Sequence, residues 1–292
     1  MAKILIIDID STIPNLALRK IEKYHLDLGD TVIWNLYLAR FSVDKIYVSC
    51  VFDWNKEKCK TWEGYADIGG SGYDLSKKLP PEIEAVNPHI NLGFTTRGCI
   101  RNCSFCIVPE KEGNIRIVGD LLDLWDGKNK DVVLMDNNIL ALPDHFELIC
   151  KQARDNKIRI DFNQGLDCRL LTPDIAYLLK ITPLRIYRFA FDHPSLLPVV
   201  DNTITILKNA GINQALWYVL AGFNTTFQEV LDRCNFLKSR KHNIFIQRYL
   251  SVKTDRRYVA LARWANQHHI FHSMSWEEFC GLPVNKQYKQ LI

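Results

Sequence analysis

The sequence predicts an α/β protein with two parallel-sheet domains, and three observations lead to this prediction. Short β-branched runs alternate with amphipathic helical runs along the chain of 292 residues, which is typical of parallel sheets covered by helices. The length suggests one large domain or two smaller ones. Prolines at positions 80, 81 and 88 interrupt the alternation. We therefore expect a Rossmann-like domain over residues 1–88 and a partial (β/α)6 TIM-type barrel over residues 89–292.

The Rossmann-like domain is predicted from short strands that flank an amphipathic helix. The helix follows Pro14 and ends near Gly29, as helix start and stop signals require. A glycine-rich turn, Gly69-Gly70-Ser71-Gly72, follows the last strand, and such a turn allows a ligand to approach the backbone closely. The predicted strands cover residues 4–9, 31–34 and 45–51, with a further strand end at residue 68.

The barrel is predicted from six strand-like runs with helical runs between them, short of the eight units of a full TIM barrel. The predicted strands cover residues 92–96, 131–135, 158–162, 185–191, 215–220 and 244–250. The predicted helices cover residues 121–125, 144–156, 173–180, 197–209, 227–240 and 256–268.

Composition and charge exclude several classes of protein. The chain has 37 basic and 33 acidic residues, a net charge of +4 that gives no indication of nucleic-acid binding. No apolar run approaches the ~18 residues that a membrane span needs, and the N-terminus lacks the pattern of a signal peptide. The nine cysteines are an odd number in a long chain without an export signal. We therefore expect reduced thiols and a cytoplasmic protein.

Three of the cysteines form a compact motif, while the other six are scattered and read as small buried hydrophobes. Cys99, Cys103 and Cys106 have the spacing C-x3-C-x2-C on a loop that follows the first barrel strand, the end of a barrel where active sites form. Thiolates are the natural ligands of iron–sulfur clusters. Three of them without a near fourth leave one iron open to a reactant. A structural zinc site, which needs four ligands, and a non-catalytic iron–sulfur protein are the alternatives.

The motif resembles that of the radical S-adenosylmethionine (SAM) superfamily, CxxxCxφC with an aromatic residue at φ. Cys99, Cys103, Phe105 and Cys106 match every position, and the resemblance covers about residues 89–250. It implies a [4Fe–4S] cluster that cleaves SAM and yields a 5′-deoxyadenosyl radical, which then acts on a substrate. It also implies a reductant partner such as flavodoxin or ferredoxin. Peptide, RNA base, lipid and small metabolite all stay open as substrates.

The resemblance further implies residues that bind SAM at the strand ends. Phe105 would lie near the adenine, and Gly222 belongs to a segment similar to the one that backs the adenine in the family. Where the family often has a Gly-Gly-Glu run that meets the methionine amino group, this chain has Asp136 and Asn137. Either side chain could accept that hydrogen bond.

Further polar residues follow the third and fourth barrel strands. By the same resemblance, Asp161, Asn163 and Gln164 are placed to meet the ribose. Arg188 could pair with the methionine carboxylate at two points. Each of these residues also has a structural explanation, because Asp and Asn at strand ends commonly satisfy turns and helix caps.

The N-terminal domain looks similar to the cobalamin-binding domain that precedes many radical SAM enzymes. The cobalt-ligating pattern Asp-x-His-x-x-Gly is absent, and His25 lies inside the predicted helix. Cobalamin is therefore possible but not supported, and cobalamin-dependent radical methyl transfer stays an alternative function. The methylthiotransferase branch carries three further cysteines in this domain, whereas only Cys50 and Cys59 occur here.

Overall fold

The computed structural model describes residues 1–291 and divides them into two compact units. Unit 1 contains residues 1–93 together with 107–113 and 122–129, and unit 2 contains 94–106, 114–121 and the chain from Lys130 onwards. The sequence predicted one boundary at residue 88. The chain first leaves unit 1 shortly after that position, at Gly93, and then returns to it twice.

The structure contains thirteen strands and eleven α-helices within residues 1–291. The strands are β1 (Lys3–Asp8), β2 (Thr31–Trp34), β3 (Lys45–Ser49), β4 (Asp67–Gly69), β5 (Leu92–Gly93), β6 (Thr96–Arg97), β7 (Arg116–Ile117), β8 (Asp131–Leu134), β9 (Arg159–Phe162), β10 (Leu184–Ile186), β11 (Arg188–Ala190), β12 (Leu216–Ala221) and β13 (Asn243–Arg248). The helices are α1 (Leu16–Asp27), α2 (Pro81–Glu84), α3 (Val108–Lys111), α4 (Leu121–Leu124), α5 (Pro143–Asn156), α6 (Pro173–Ile181), α7 (Leu197–Asn209), α8 (Phe227–Ser239), α9 (Arg256–Ala265), α10 (His268–Ser273) and α11 (Trp276–Gly281). Several 3-10 turns occur between them, the longest at Asp53–Trp62.

Unit 1 is built on a parallel sheet with the strand order β2-β1-β3-β4. The central strand β1 is apolar on both faces. Leu5 and Ile7 pack on one side with Trp62, and Ile4 and Ile6 pack on the other side with α1. A strand that is buried on both faces is the expected pattern for a parallel sheet covered by helices on each side. The predicted α/β class of this part of the chain is therefore confirmed.

Unit 2 contains two sets of parallel strands separated in sequence by helices. The first set pairs β8 with β9 and β9 with β10, and the second pairs β11 with β12 and β12 with β13. Only Tyr187 separates β10 from β11, and a parallel bridge joins Leu166 to Phe189. The strand predicted over 185–191 is thus split where the chain changes its pairing partner from β9 to β12.

Other elements differ from the predictions where local geometry overrides the pattern. The strand predicted over 92–96 forms two short pieces, β5 and β6. The last predicted helix ends at Ala265, and α10 begins three residues later. The unpredicted helix α11 starts with a capping box, in which Ser275 accepts from the Glu278 N–H and Glu278 accepts from the Ser275 N–H. None of the helices within residues 1–291 combines the length and the apolar character that crossing a bilayer requires.

Candidate functional site

The three motif cysteines lie on a loop of unit 2 that begins directly after β6. The antiparallel pairing of β6 with β7 fixes the start of the loop. Gly98 has φ +82, a left-handed conformation that favours glycine, and its N–H donates to Asn137 Oδ1 at 3.1 Å. Further along, the Cys106 N–H donates to the Cys103 carbonyl at 2.9 Å, so the last two cysteines share one turn. The loop is therefore held at both ends by hydrogen bonds.

Solvent exposure separates these three cysteines from the other six. Cys99, Cys103 and Cys106 are partly exposed, whereas every other cysteine in the chain is buried. The prediction that the scattered cysteines are small core residues is confirmed, with Cys50 and Cys59 in the unit 1 core. Burial raises the pKa of Cys50 to about 12. A thiol with such a pKa is a poor metal ligand at neutral pH, because the ligand is the thiolate.

The sulfur of Cys99 accepts two hydrogen bonds from nitrogen donors. The Arg101 backbone N–H lies 3.3 Å from Cys99 Sγ, and Asn138 Nδ2 lies 3.4 Å from it. N–H donors of this kind are the partners that ligand sulfurs have in metal sites. The loop thus holds the Cys99 sulfur with two directed donors.

A single metal ion needs several ligand side chains that converge on one point. Within residues 1–291, no three His, Cys, Asp or Glu side chains are grouped in a way that could hold one ion. A structural zinc ion draws four ligand atoms to roughly 2.0–2.3 Å from one centre, and the loop does not present such a set. In an iron–sulfur cluster each cysteine binds a different iron, so the sulfurs need not converge on one point.

Asp136 has a structural role in the described contacts. Its Oδ1 accepts hydrogen bonds from the N–H and hydroxyl groups of both Thr95 and Thr96, with Thr96 Oγ1 at 2.6 Å. Its side chain is buried. Burial raises its pKa, and Oδ2 has no partner. These contacts tie the residues that precede the cysteine loop to the end of β8, and the predicted SAM contact of Asp136 stays a prediction.

Asn137, the next residue, is partly exposed, and its Oδ1 accepts from the Gly98 N–H. Separately, polar residues of β9, β11 and β12 form a connected network. Arg188 donates to Asp161 through Nε–Oδ1 at 2.7 Å and Nη2–Oδ2 at 2.8 Å, and its Nη1 donates to the Tyr218 hydroxyl at 3.2 Å. Tyr218 in turn donates to the Asn163 carbonyl at 2.7 Å. The structure thus brings three of the predicted site residues together through Tyr218.

Asn163 and Gln164 also meet a side chain from the preceding strand. Their amide groups lie 3.6 and 3.8 Å from the sulfur of Met135, which follows β8. Gly165 comes next with φ +85, and a Cβ there would meet the Tyr218 ring at 3.2 Å. The turn after β9 is therefore packed tightly against Tyr218, which holds both amides at the strand ends.

The aromatic residue of the motif packs against the segment that follows β12. The rings of Phe105 and Phe223 meet edge to face with centroids 5.5 Å apart, and Phe223 meets Tyr249 at 4.9 Å. Gly222 has φ +85, and a Cβ there would lie 2.3 Å from Val252 Cγ2. Glycine at this position is thus required by backbone conformation and by the close approach of Val252. The two segments that the resemblance assigns to the adenine are in contact.

Sequence reasoning missed four residues that organise the site, namely Asn138, Asp167, Arg169 and Tyr218. Asp167 accepts from Arg101 Nε at 3.0 Å, from Arg169 Nε at 2.6 Å and from Asn138 Nδ2 at 3.2 Å. The unbroken polar run Asp136-Asn137-Asn138 at a strand end was a signal for Asn138. Asp167 and Arg169 pair with each other two residues apart, which is common at turns and marks no site. Their position in the site depends on Asn138 and Arg101, which are 29 and 66 residues from Asp167, and no local pattern shows those contacts.

In unit 1, the glycine-rich turn packs against the protein's own backbone. A Cβ at Gly70 would lie 2.3 Å from the Cys50 carbonyl oxygen, and one at Gly72 would lie 2.3 Å from the Phe52 carbonyl carbon. The close approach that these glycines permit is therefore made by the segment after β3. His25 is buried and hydrogen-bonded to Asp30 at 2.8 Å and to the Tyr47 hydroxyl at 3.1 Å, so it packs within the domain.

Comparisons with known proteins do not assign the chain to a family. No protein-family model matches the chain. No curated protein matches it either.

Proposed function

We propose that this chain is a radical SAM enzyme whose [4Fe–4S] cluster is held by Cys99, Cys103 and Cys106. When bound, the cluster and SAM would supply a 5′-deoxyadenosyl radical, a reaction that belongs to the cofactors and not to the side chains. The observation that carries the proposal is the exposure of the cysteines. Only the three in the motif reach the surface, and Cys99 among them accepts two N–H donors.

The proposed roles of the other residues follow from the contacts that each one makes. Phe105 and Phe223 would provide an apolar edge for the adenine, since their rings already pack together. Asn137, whose Oδ1 accepts from the Gly98 N–H beside the cysteine loop, would meet the amino group of the methionine part. Asn163 and Gln164 would meet the ribose. Each contact is a hydrogen bond or a ring contact that positions SAM, and none needs a proton transfer.

Arg188 is already engaged at two points by Asp161, and the pair is nearly buried, with side-chain exposures of 17% and 6%. We therefore propose that the pair acts as a unit. Arg188 would reach the methionine carboxylate only through nitrogen positions that Asp161 leaves open, and Asp161 would fix the direction of the guanidinium. The ribose contact of Asp161 is correspondingly less favoured, because both of its oxygens already accept from Arg188.

The two strand sets of unit 2 are proposed to be the halves of one partial (β/α)6 barrel. The break between β10 and β11 is a single residue, and the Leu166–Phe189 bridge spans it. A continuous curved sheet would place the carboxyl ends of its strands around one site.

Several expectations from the sequence stay predictions. They are a flavodoxin or ferredoxin as the reductant, a cytoplasmic location and the absence of a nucleic-acid partner. Cobalamin-dependent methyl transfer is not favoured by any contact in unit 1.

The test is anaerobic purification and reconstitution with iron and sulfide. We expect about four irons and four sulfides per chain and formation of 5′-deoxyadenosine from SAM under strong reductant. A Cys99→Ala, Cys103→Ala, Cys106→Ala variant should lose the bound iron and sulfide and the formation of 5′-deoxyadenosine. Cys150→Ala, which removes a buried thiol of the same unit, is the matched control and should keep the cluster and the reaction. Equal 5′-deoxyadenosine from the wild type and the triple variant would contradict the proposal, and bound zinc without sulfide would favour the zinc alternative.

A further inference from the structure

Asp167 is a buried carboxylate on which three donors converge from different parts of unit 2. Its side chain is 6% exposed, and it accepts from Arg101, from Arg169 and from Asn138. Burial alone would raise the pKa of Asp167, but Arg169 and Arg101 together bring it below the usual value. Asp167 is therefore an anion in the folded protein, and its hydrogen bonds fix the orientation of the three donor side chains.

One of these donors also hydrogen-bonds to a motif cysteine, and a second acts on another motif cysteine through its charge. Asn138 Nδ2 lies 3.2 Å from Asp167 Oδ2 and 3.4 Å from Cys99 Sγ, so one amide group serves both acceptors. The guanidinium of Arg169, which Asp167 holds, interacts electrostatically with the Cys103 sulfur. The amide of Asn138 cannot be reversed without cost, because its oxygen would then face a carboxylate and a sulfur. In the orientation present, that oxygen is buried without a partner.

We infer that Asn138, held in place by Asp167, raises the reduction potential of the cluster by donating a hydrogen bond to Cys99. This inference rests on the proposed function. A hydrogen bond to a ligand sulfur draws electron density from it and so favours the reduced, more negative cluster. Arg169 acts in the same direction at Cys103, since its positive charge favours the more negative, reduced cluster. Asn138, Asp167 and Arg169 are positioning residues in this scheme, because they act through the cysteines.

The experiment is an EPR-monitored redox titration of the protein reconstituted with iron and sulfide. Asn138→Leu keeps the size of the side chain and removes the donor, and its midpoint potential should be more negative than that of the wild type. Asn102→Leu is the matched control. Asn102 lies in the same loop, is exposed, and donates to no sulfur within the described chain. The midpoint potential of the cluster in Asn102→Leu should therefore equal that of the wild type.

A second variant keeps the inference testable if Asn138→Leu does not fold. Arg169 is 34% exposed at its side chain, and Arg169→Met should also shift the potential to more negative values. The role of Asp167 is tested by Asp167→Asn in the wild-type and Asn138→Leu backgrounds. We expect different shifts in the two backgrounds, because part of the effect passes through the Asn138 amide. Equal shifts would overturn the positioning role of Asp167.

The outcomes separate this inference from the proposed function. A wild-type protein that binds no iron–sulfur cluster contradicts the function itself. A wild-type cluster whose potential is unchanged in a folded Asn138→Leu variant, or in Arg169→Met where Asn138→Leu does not fold, overturns only the inference and not the radical SAM proposal.

Discussion

Asp161 and Arg188 form a two-point ion pair on adjacent segments of the parallel strands of unit 2. The two N–O distances are 2.7 and 2.8 Å, and Arg188 uses a third nitrogen to reach Tyr218. The fork of a guanidinium matches the two oxygens of a carboxylate, which makes this geometry specific as well as strong. Since both partners are largely buried, the pair fixes the turn after β9 relative to β11.

The first prediction concerns the stability of this pair. Arg188→Met should lower the free energy of unfolding by about 3–5 kcal/mol, because it leaves the Asp161 carboxylate buried and unpaired. The double variant Asp161→Leu, Arg188→Met should be less destabilised than Arg188→Met, since no charge is left behind. Urea unfolding followed by circular dichroism measures both. Equal losses in the single and double variants would show that packing, and not the buried charge, sets the cost.

The α/β class was predictable because it depends on local patterns. Strand β2 was predicted at the bounds that the structure gives it, and helix α7 likewise. The division of one predicted strand into β10 and β11 was not predictable. Whether the chain keeps one pairing partner or changes to another at Tyr187 depends on strands distant in sequence, and the run from Arg185 to Phe191 is equally compatible with both.

The second prediction concerns Gly222, where the cost of a left-handed backbone can be distinguished from the cost of a steric clash. Gly222→Ala should destabilise the protein by about 2–4 kcal/mol, because φ is +85 and the new Cβ would lie 2.3 Å from Val252 Cγ2. Gly211→Ala is the control, since its φ is +77 but its nearest neighbour would be 3.6 Å away. It should cost only about 1–2 kcal/mol for the backbone. Thermal unfolding of both variants gives the difference, and a Gly222→Ala loss no larger than that of Gly211→Ala would contradict the clash.

In the candidate site too, sequence alone could not predict the role of each residue. The C-x3-C-x2-C spacing marked Cys99, Cys103 and Cys106 directly. In contrast, Asp136 and Asn137 are neighbouring polar residues, and only the structure shows that Asp136 is buried against Thr95 and Thr96 while Asn137 accepts from Gly98. These partners are 39 to 41 residues away in sequence, which is why sequence reasoning could not choose between the two residues.

The third prediction uses cysteine exposure as a readout that needs no activity. Brief treatment of the folded, cluster-free protein with N-ethylmaleimide should label Cys99, Cys103 and Cys106 and leave the six buried cysteines unlabelled. Denatured protein should carry all nine labels. Reconstitution with iron and sulfide should protect the three motif cysteines, because a ligand sulfur is no longer a free nucleophile. Peptide mass spectrometry assigns the sites, and rapid labelling of Cys50 or Cys59 would contradict the burial that separates the two groups.

The fourth prediction concerns His242, a buried histidine directly before β13. Its Nδ1 accepts from the Ala215 N–H at 3.0 Å, so the ring must be neutral at that nitrogen. Burial lowers its pKa to about 4, and the nearby Arg240 and His272 add to the effect. In the unfolded chain the pKa returns to about 6.5.

Between these two pKa values the unfolded chain binds a proton that the folded chain does not. The free energy of unfolding should therefore fall as the pH is lowered from about 6.5 to about 4, by an amount on the order of 2 kcal/mol from this residue. His242→Asn keeps an acceptor near the position of Nδ1 and removes the titration. Urea unfolding at pH 7 and at pH 4.5 should show a smaller difference for His242→Asn than for the wild type. If the two proteins lose the same stability over this range, His242 is not buried in its neutral form.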